Sequence, residues 1–394
     1  MRTYRDVFAV PEFRVLFAAR CVTMAAVSLS GLALGTTTYA STGSPLLTAL
    51  AMFGGPLVTL VGSATILGAS DSMGPRLATL VMPVAYAVAC LLQAIPGLPW
   101  GVRFALLAIP FLAGSATSGS TMRLLSDILP AEGFVLGRAT LNIAVGVMQV
   151  AGYGLGGVLL VWFSPSALFL IASVAAALTA LVIRMGIRER PASQTADNLV
   201  RRTRVVNRTL LGSPLTRPLY LAMWVPNGLI VGCEALFVSF GGPTGAGYLF
   251  AVTAAGMLLG DVLMGRIIPP ERRDRLIEPM RLLLAVPYLG FLLSPGLPMA
   301  MVLSFVASIG YSASLPLQER LVLATDAHHR GQVFGLYSTG LMVGQAVGAA
   351  IGGAVATVLV PAQAILVLAV ASVVITLALT RGLRRSAPTP VGVR

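Results

Sequence analysis

Apolar runs of about 20 residues follow one another along the chain, separated by short breaks rich in Gly, Pro, Ser and Arg. A helix of about 20 apolar residues crosses a hydrocarbon core of roughly 30 Å, so each run predicts one membrane span. Breaks at Ser41–Pro45, Ser70–Arg76, Pro96–Gly101, Leu129–Gly137 and Ser164–Pro165 divide the first half into about six spans. Breaks at Gly241–Gly245, Arg266–Glu278, Ser294–Pro298, Thr325–Gly331 and Val360–Pro361 repeat that count in the second half. The pattern predicts an all-α polytopic membrane protein of about twelve transmembrane helices in two pseudo-symmetric six-helix halves. The halves are expected at 1–183 and 218–380, with a basic linker at 184–217 and a tail at 381–394.

A repeat supports the two halves. Gln149–Gly157 reads Gln-Val-Ala-Gly-Tyr-Gly-Leu-Gly-Gly, and Gln345–Gly353 reads Gln-Ala-Val-Gly-Ala-Ala-Ile-Gly-Gly. Gln149 matches Gln345, Gly152 matches Gly348, Gly156 matches Gly352 and Gly157 matches Gly353, all at one separation of about half the chain. Glycines four residues apart form a stripe along which a neighbouring helix backbone can approach closely. The entries to the halves also echo, Pro11-Glu-Phe-Arg14 against Pro214-Leu-Thr-Arg217.

Composition agrees. The chain is 56% hydrophobic and 10% charged with mean hydropathy +0.87, whereas soluble domains are about a quarter charged. Val15–Tyr39 exceeds the apolar segment of a signal peptide and lacks its cleavage site, so it reads as a retained first span. The net charge of +13 comes entirely from Arg. With the N-terminus inside, Arg76, Arg138, the 184–217 linker, Arg266–Arg281, Arg330 and the tail fall on the cytoplasmic side, and only Arg103 lies near the other face. Both termini are then cytoplasmic, and the charge is explained by anionic headgroups rather than nucleic acid. Within the linker, residues 198–211 form either an amphipathic surface helix or a tether. Cys21, Cys90 and Cys233 lie in apolar runs without paired spacing, so neither disulfides nor a metal site are expected.

After the second span stands Gly68-Ala-Ser-Asp71-Ser-Met-Gly74-Pro-Arg76. It resembles the cytoplasmic signature loop of the major facilitator superfamily, with Asp261 and Arg266 as a degenerate counterpart in the second half. Gly152-Tyr153-Gly154-Leu155-Gly156-Gly157 resembles the fifth-helix Gly-Pro-x-x-Gly-Gly signature of that family's drug/proton antiporters, with Tyr153 in the place of Pro. The fourth-helix Arg-x-x-x-Gly signature is missing, since Pro110 stands four residues before Gly114. The resemblance implies the major facilitator fold and, by its efflux branch, export of a small amphipathic compound such as a drug or antibiotic-like metabolite.

Ionisable groups inside spans are costly and therefore candidates for function. Arg20 in the first span either snorkels to the inner interface or faces a cavity. Arg123 and Asp127, four apart on the fourth span, are placed to pair with each other. Glu319 is the repeat partner of Arg123, which makes a cross-half inner gate an alternative; Arg320 beside it and interfacial water are the other partners open to Glu319. Glu234 in the seventh span has no basic neighbour in sequence and is the candidate proton-coupling carboxylate, against a carboxyl merely hydrogen-bonded to neighbouring helices or set near the outer interface. Gln149 and Gln345 are candidate cavity residues. His328 and His329 read as solvated loop residues.

The chain has no Walker loop, no His/Cys cluster and no paired catalytic carboxylates, so no enzyme, cofactor or metal is expected. The expectation is a secondary transporter in the plasma membrane, a monomer moving protons and a small molecule by alternating access. Nutrient uptake by symport and a non-transport membrane protein are the alternatives.

Overall fold

Proline and glycine punctuate the helices where the breaks are expected. In the computed structural model, which describes residues 4–65, 73–190, 205–325 and 330–385, α1 is Tyr4–Ala9 and α2 is Pro11–Thr42. Gly43 ends α2 at φ 62°, a left-handed cap that carries little strain only in glycine. Ser44 then accepts a hydrogen bond from the Leu47 amide at 3.2 Å while Pro45 occupies the first turn, opening α3 (Pro45–Phe53). The same Ser-Pro device at Ser164 and Pro165 opens α8 (Pro165–Gly186).

Between them lie α4 (Gly55–Thr65), α5 (Pro75–Gln93), α6 (Trp100–Ile128) and α7 (Ala131–Leu159). The second span is bent by 62° between α3 and α4, at Gly54. After a short helix α9 over 205–212 come α10 (Arg217–Glu234), α11 (Phe237–Val262), α12 (Pro270–Leu283), α13 (Leu297–Ile309), α14 (Ser314–Leu323), α15 (Arg330–Val355) and α16 (Pro361–Arg385). Helical structure breaks at Gly242, φ 67°, so the seventh span continues past Glu234 to that glycine.

Among the described residues nine helical segments are long and apolar enough to cross a membrane, and the bent α3–α4 pair makes ten. With α7 and the 18-residue α10, this fits the expected twelve. Two expected breaks are narrower than the sequence suggested. Residues Leu129–Gly137 shrink to Leu129–Pro130, because Pro130 caps α7 directly. Arg266–Glu278 is mostly helical: α11 runs on through a π turn at Leu263–Ile267, and α12 begins at Pro270. Polarity misled here, since the arginines of α12 coat its first turns instead of marking a loop. In the linker, residues 205–212 are helical, with Leu210 buried and Val206 packed beside Leu219, Tyr220 and Leu383; residues 198–204 lie outside the described residues.

Each half has its own apolar interior, and a further cluster joins them. Leu32, Ala49, Phe53 and Tyr153 from the first half pack with Val231, Phe237, Phe250 and Leu368 from the second. This joint core lies at the distal end of the bundle, taking the proximal end as the one that carries the starts of α2 and α10.

Candidate functional site

The repeated Gln-x-x-Gly segments lie on α7 and α15 and face each other. Gln149 Nε2 donates to Gln345 Oε1 at 3.0 Å, and Gln345 Nε2 donates to Asn227 Oδ1 on α10 at 3.3 Å. Gln345 and Asn227 are buried and Gln149 half-buried. Such a chain of amides in an apolar interior holds its members in one arrangement, because an unpaired buried amide is costly.

The glycines of the repeat divide into two kinds. Gly152 packs α7 on α2: a Cβ there would lie 2.7 Å from Ser28 Cβ and 2.9 Å from the Ala25 carbonyl oxygen. Gly348 does the same for α15 on α10, with the Gly228 carbonyl filling the space a Cβ would need. Gly156 approaches Leu29 and Leu32, as Gly352 approaches Gly232. The last glycine of each segment reaches across the halves instead. Gly157 lies against the Gly247 backbone on α11, and Gly353 against Leu46 on α3, whose Cα would be 2.6 Å from an added Cβ.

Between these contacts sits Tyr153. Its ring stacks on Phe250 of the second half at 5.3 Å and 21°, and lies 5.3 Å from Phe53. Its hydroxyl donates to the Met52 carbonyl at 3.0 Å, next to the kink of the second span. The residue that replaces the antiporter signature's Pro thus closes the distal space between the halves.

Glu234 ends α10 beneath this closure. It is 6% exposed, and among the described residues it takes part in no hydrogen bond or ion pair. Arg20 is exposed on α2.

Near the proximal end the candidate gate residues separate. The Arg123 side chain lies outside the described residues, and Asp127 is exposed. Glu319 pairs with Arg273 at 3.0 Å, and Arg320 with Asp274 at 2.6 Å, so both are engaged within the second half and Glu319 does not pair with Arg320. In the same region Arg138 of α7 lies against Gly335 of α15, where its guanidinium occupies the place of a Cβ.

Gly68 and Asp71 of the signature loop lie outside the described residues. Gly74 caps α5, and Arg76 pairs with Glu189 at 2.5 Å. The adjoining Arg190 forms a two-pronged pair with Glu12, which holds its guanidinium firmly protonated. The start of α5 thereby abuts the start of the linker. The loop reading of the signature's second-half counterpart is corrected: Asp261 sits inside α11 with Oδ1 buried, while Arg266 is exposed on the π turn.

Sequence reasoning also missed Arg281, assigned to the inner surface but 3% exposed in α12, with Nε and both terminal nitrogens lacking hydrogen-bond partners among the described residues. Its signal is helical spacing: Ile277, Arg281, Leu284 and Tyr288 share one buried stripe.

Residues 229–394 match the family model described as Major Facilitator Superfamily. Over nearly the whole length the fold is similar to two solved transporters. The first is a POT family transporter in complex with 5-aminolevulinic acid, with TM-score 0.65, 12% identity and coverage of 95% of this chain and 96% of that one. The second is a bacterial homolog of the human lysosomal transporter Spinster, in an inward-facing and occupied conformation, with TM-score 0.60, 13% identity and coverage of 99% and 100%. The chain has the fold of these two transporters, and its second half is similar to the Major Facilitator Superfamily. A search of curated protein sequences finds no match. In this fold the amide chain lies where the two halves meet, and Glu234 lies between Cys233 and Ala235 of the joint core.

Proposed function

We propose that the transporter exports a small amphipathic compound in exchange for protons, with Glu234 as the proton-coupling carboxylate. The observation that carries this reading is a carboxylate buried at the meeting of the halves, with no cation paired to it among the described residues. An acid so placed changes charge as its access to water alternates, which links proton movement to rocking of the halves. The halves, 1–183 and 218–380, rock about the Gln149–Gln345 contact; Arg20 lines the cleft on the proximal side. The one-sided arginines support a plasma-membrane orientation with both termini cytoplasmic, and the chain acts as a monomer. The efflux direction rests on the resemblance of the Gly152–Gly157 segment to the antiporter signature; Gly152 and Gly156 seat α7 on α2.

The test is transport of a compound panel in inverted vesicles and whole cells, with and without a pH gradient. Glu234→Gln keeps size and polarity, so substrate exchange at equal pH should persist while pH-driven accumulation is lost. Accumulation by the Gln variant with unchanged dependence on pH would rule Glu234 out, and inward accumulation by the parent protein would favour symport.

A further inference from the structure

Arg138 is a cation of the first half seated on the second. It lies on α7, and its guanidinium occupies the place that a Cβ on Gly335 of α15 would take. The same two helices meet again at the Gln149–Gln345 hydrogen bond. Eleven residues separate Arg138 from Gln149, three turns at about 3.67 residues each, so both stand on one face of α7. The rise between them is about 16 Å. Beside the axis the two amides bridge the helices, and toward the proximal end the bridge is a side chain as long as arginine.

Each helix is anchored to its own half by another face. Gly137, the residue before Arg138, packs on Leu129 and on the Phe13 ring, which lies 3.2 Å from the place of its Cβ. On α15, Val333 and Tyr337 are buried with Leu219 and Tyr220 in a cluster of the second half. Trp224 of α10 donates from Nε1 to the Tyr337 carbonyl at 3.0 Å, and its indole fills the place of a Cβ on Gly340. Val333 and Tyr337, two residues to either side of Gly335, are turned about 160° from it around the helix. Gly335 therefore faces away from α10 and toward the first half, and its contact with Arg138 joins two separately packed bodies.

This seat leaves one donor and one acceptor unused. Arg138 Nε is buried without a hydrogen-bond partner among the described residues, and so is Oε1 of Gln332. Gln332 stands three residues before Gly335, on the same side of α15. A buried donor and a buried acceptor are each costly while unpaired, and drawing the proximal ends together brings these two toward each other.

We propose that Arg138 is the gating residue of the proximal end: seated on Gly335 it links the halves, and as they close there its Nε donates to Gln332 Oε1. The inference rests on rocking of the halves about the Gln149–Gln345 contact, and is independent of the direction of transport and of Glu234. Gly335 is the condition for it, since a side chain at that position displaces the guanidinium from its seat. Rocking that opens the proximal end breaks the contact, and rocking that closes it gains the Gln332 bond. Arg138 thus stabilises the proximally closed state alone.

The experiment is double electron–electron resonance on the full chain in lipid nanodiscs, with Cys21→Ser and the buried Cys90 and Cys233 kept. Spin labels on Met185→Cys and Leu323→Cys span the proximal ends of the two halves, and labels on Trp162→Cys and Val358→Cys span the distal ends; all four positions are 72–82% exposed. Arg138→Ala should raise the ratio of long to short proximal distances at least threefold and lower that ratio at the distal pair. Arg138→Lys keeps the charge without the Nε donor and should not restore the parent ratio. Gly335→Ala should act as Arg138→Ala does, and add nothing in the Arg138→Ala background. Gln332→Glu offers Nε a charged acceptor of the same length, so it should shift the proximal ratio the opposite way, and only while Arg138 is present. Proximal distances unchanged in Arg138→Ala, or effects of Gly335→Ala and Gln332→Glu that persist in full without Arg138, would overturn the gate and leave the rocking intact. A single unvarying distance at both pairs, in the parent and every variant at acid and alkaline pH, would overturn the rocking as well.

Discussion

Gln149 and Gln345, equivalent residues of the two repeats, are hydrogen-bonded to each other across the halves at 3.0 Å. A residue that meets its own repeat partner lies beside the pseudo-two-fold axis, where relative displacement on rocking is smallest. Gln149→Leu should strand the Gln345 carbonyl oxygen and cost about 1–3 kcal/mol, read as a lowered melting temperature. Removing Gln345 as well strands Asn227 Oδ1 in turn, so much of that loss should be recovered only in the triple variant Gln149→Leu, Gln345→Leu, Asn227→Leu. A double variant less stable than the sum of the two singles would deny the pair its role.

The two kinds of repeat glycine should behave differently. Gly348→Ala places a Cβ on the Gly228 carbonyl inside the second half and should destabilise the fold by about 1–3 kcal/mol. Gly157→Ala meets the Gly247 backbone across the halves, so it should spare the folded halves and open the distal end. Labelling of a single cysteine at Thr42 by an impermeant reagent, compared with thermal melting, separates the two outcomes. Equal melting losses with no change in labelling would refute the division.

Tyr153 should act as a distal plug. Tyr153→Phe keeps the stack on Phe250 and should keep distal closure, losing only the hydrogen bond to Met52. Tyr153→Ala should raise labelling at the distal end severalfold. Labelling as low in the Ala variant as in the parent would assign closure to the glycines alone.

Glu319 is held by Arg273, and the pair is half-exposed, so its static contribution should be below about 1 kcal/mol. A double-mutant cycle on turnover distinguishes a local pair from a gate. Coupling between Glu319 and Arg273 without coupling between Glu319 and Arg123 is expected if Glu319 stays within its half. Rescue of a Glu319 charge reversal by reversal at Arg123 would instead establish a cross-half contact in another state.

Much was legible without coordinates. Apolar run length set the helices, Gly43 and Gly242 ended them where φ turns positive, and the spacing of Gln149 and Gln345 revealed the halves, because all of these depend on local chemistry or on repetition along the chain. What the tertiary structure decided were relations between distant residues. Sequence assigned Gly157 and Gly353 to the same stripe as their neighbours, but the direction each faces depends on which helix lies opposite. Arg273, rather than Arg320 or Arg123, holds Glu319 because α12 and α14 are packed together, and charge spacing carries no trace of that. Asp261 and Arg281 looked like loop residues because polarity along a chain reports hydration only where the chain is at a surface. Glycine contacts between α11, α12 and α13 accompany the burial of the Arg281 side chain and of Asp261 Oδ1, and that packing is a property of three helices at once.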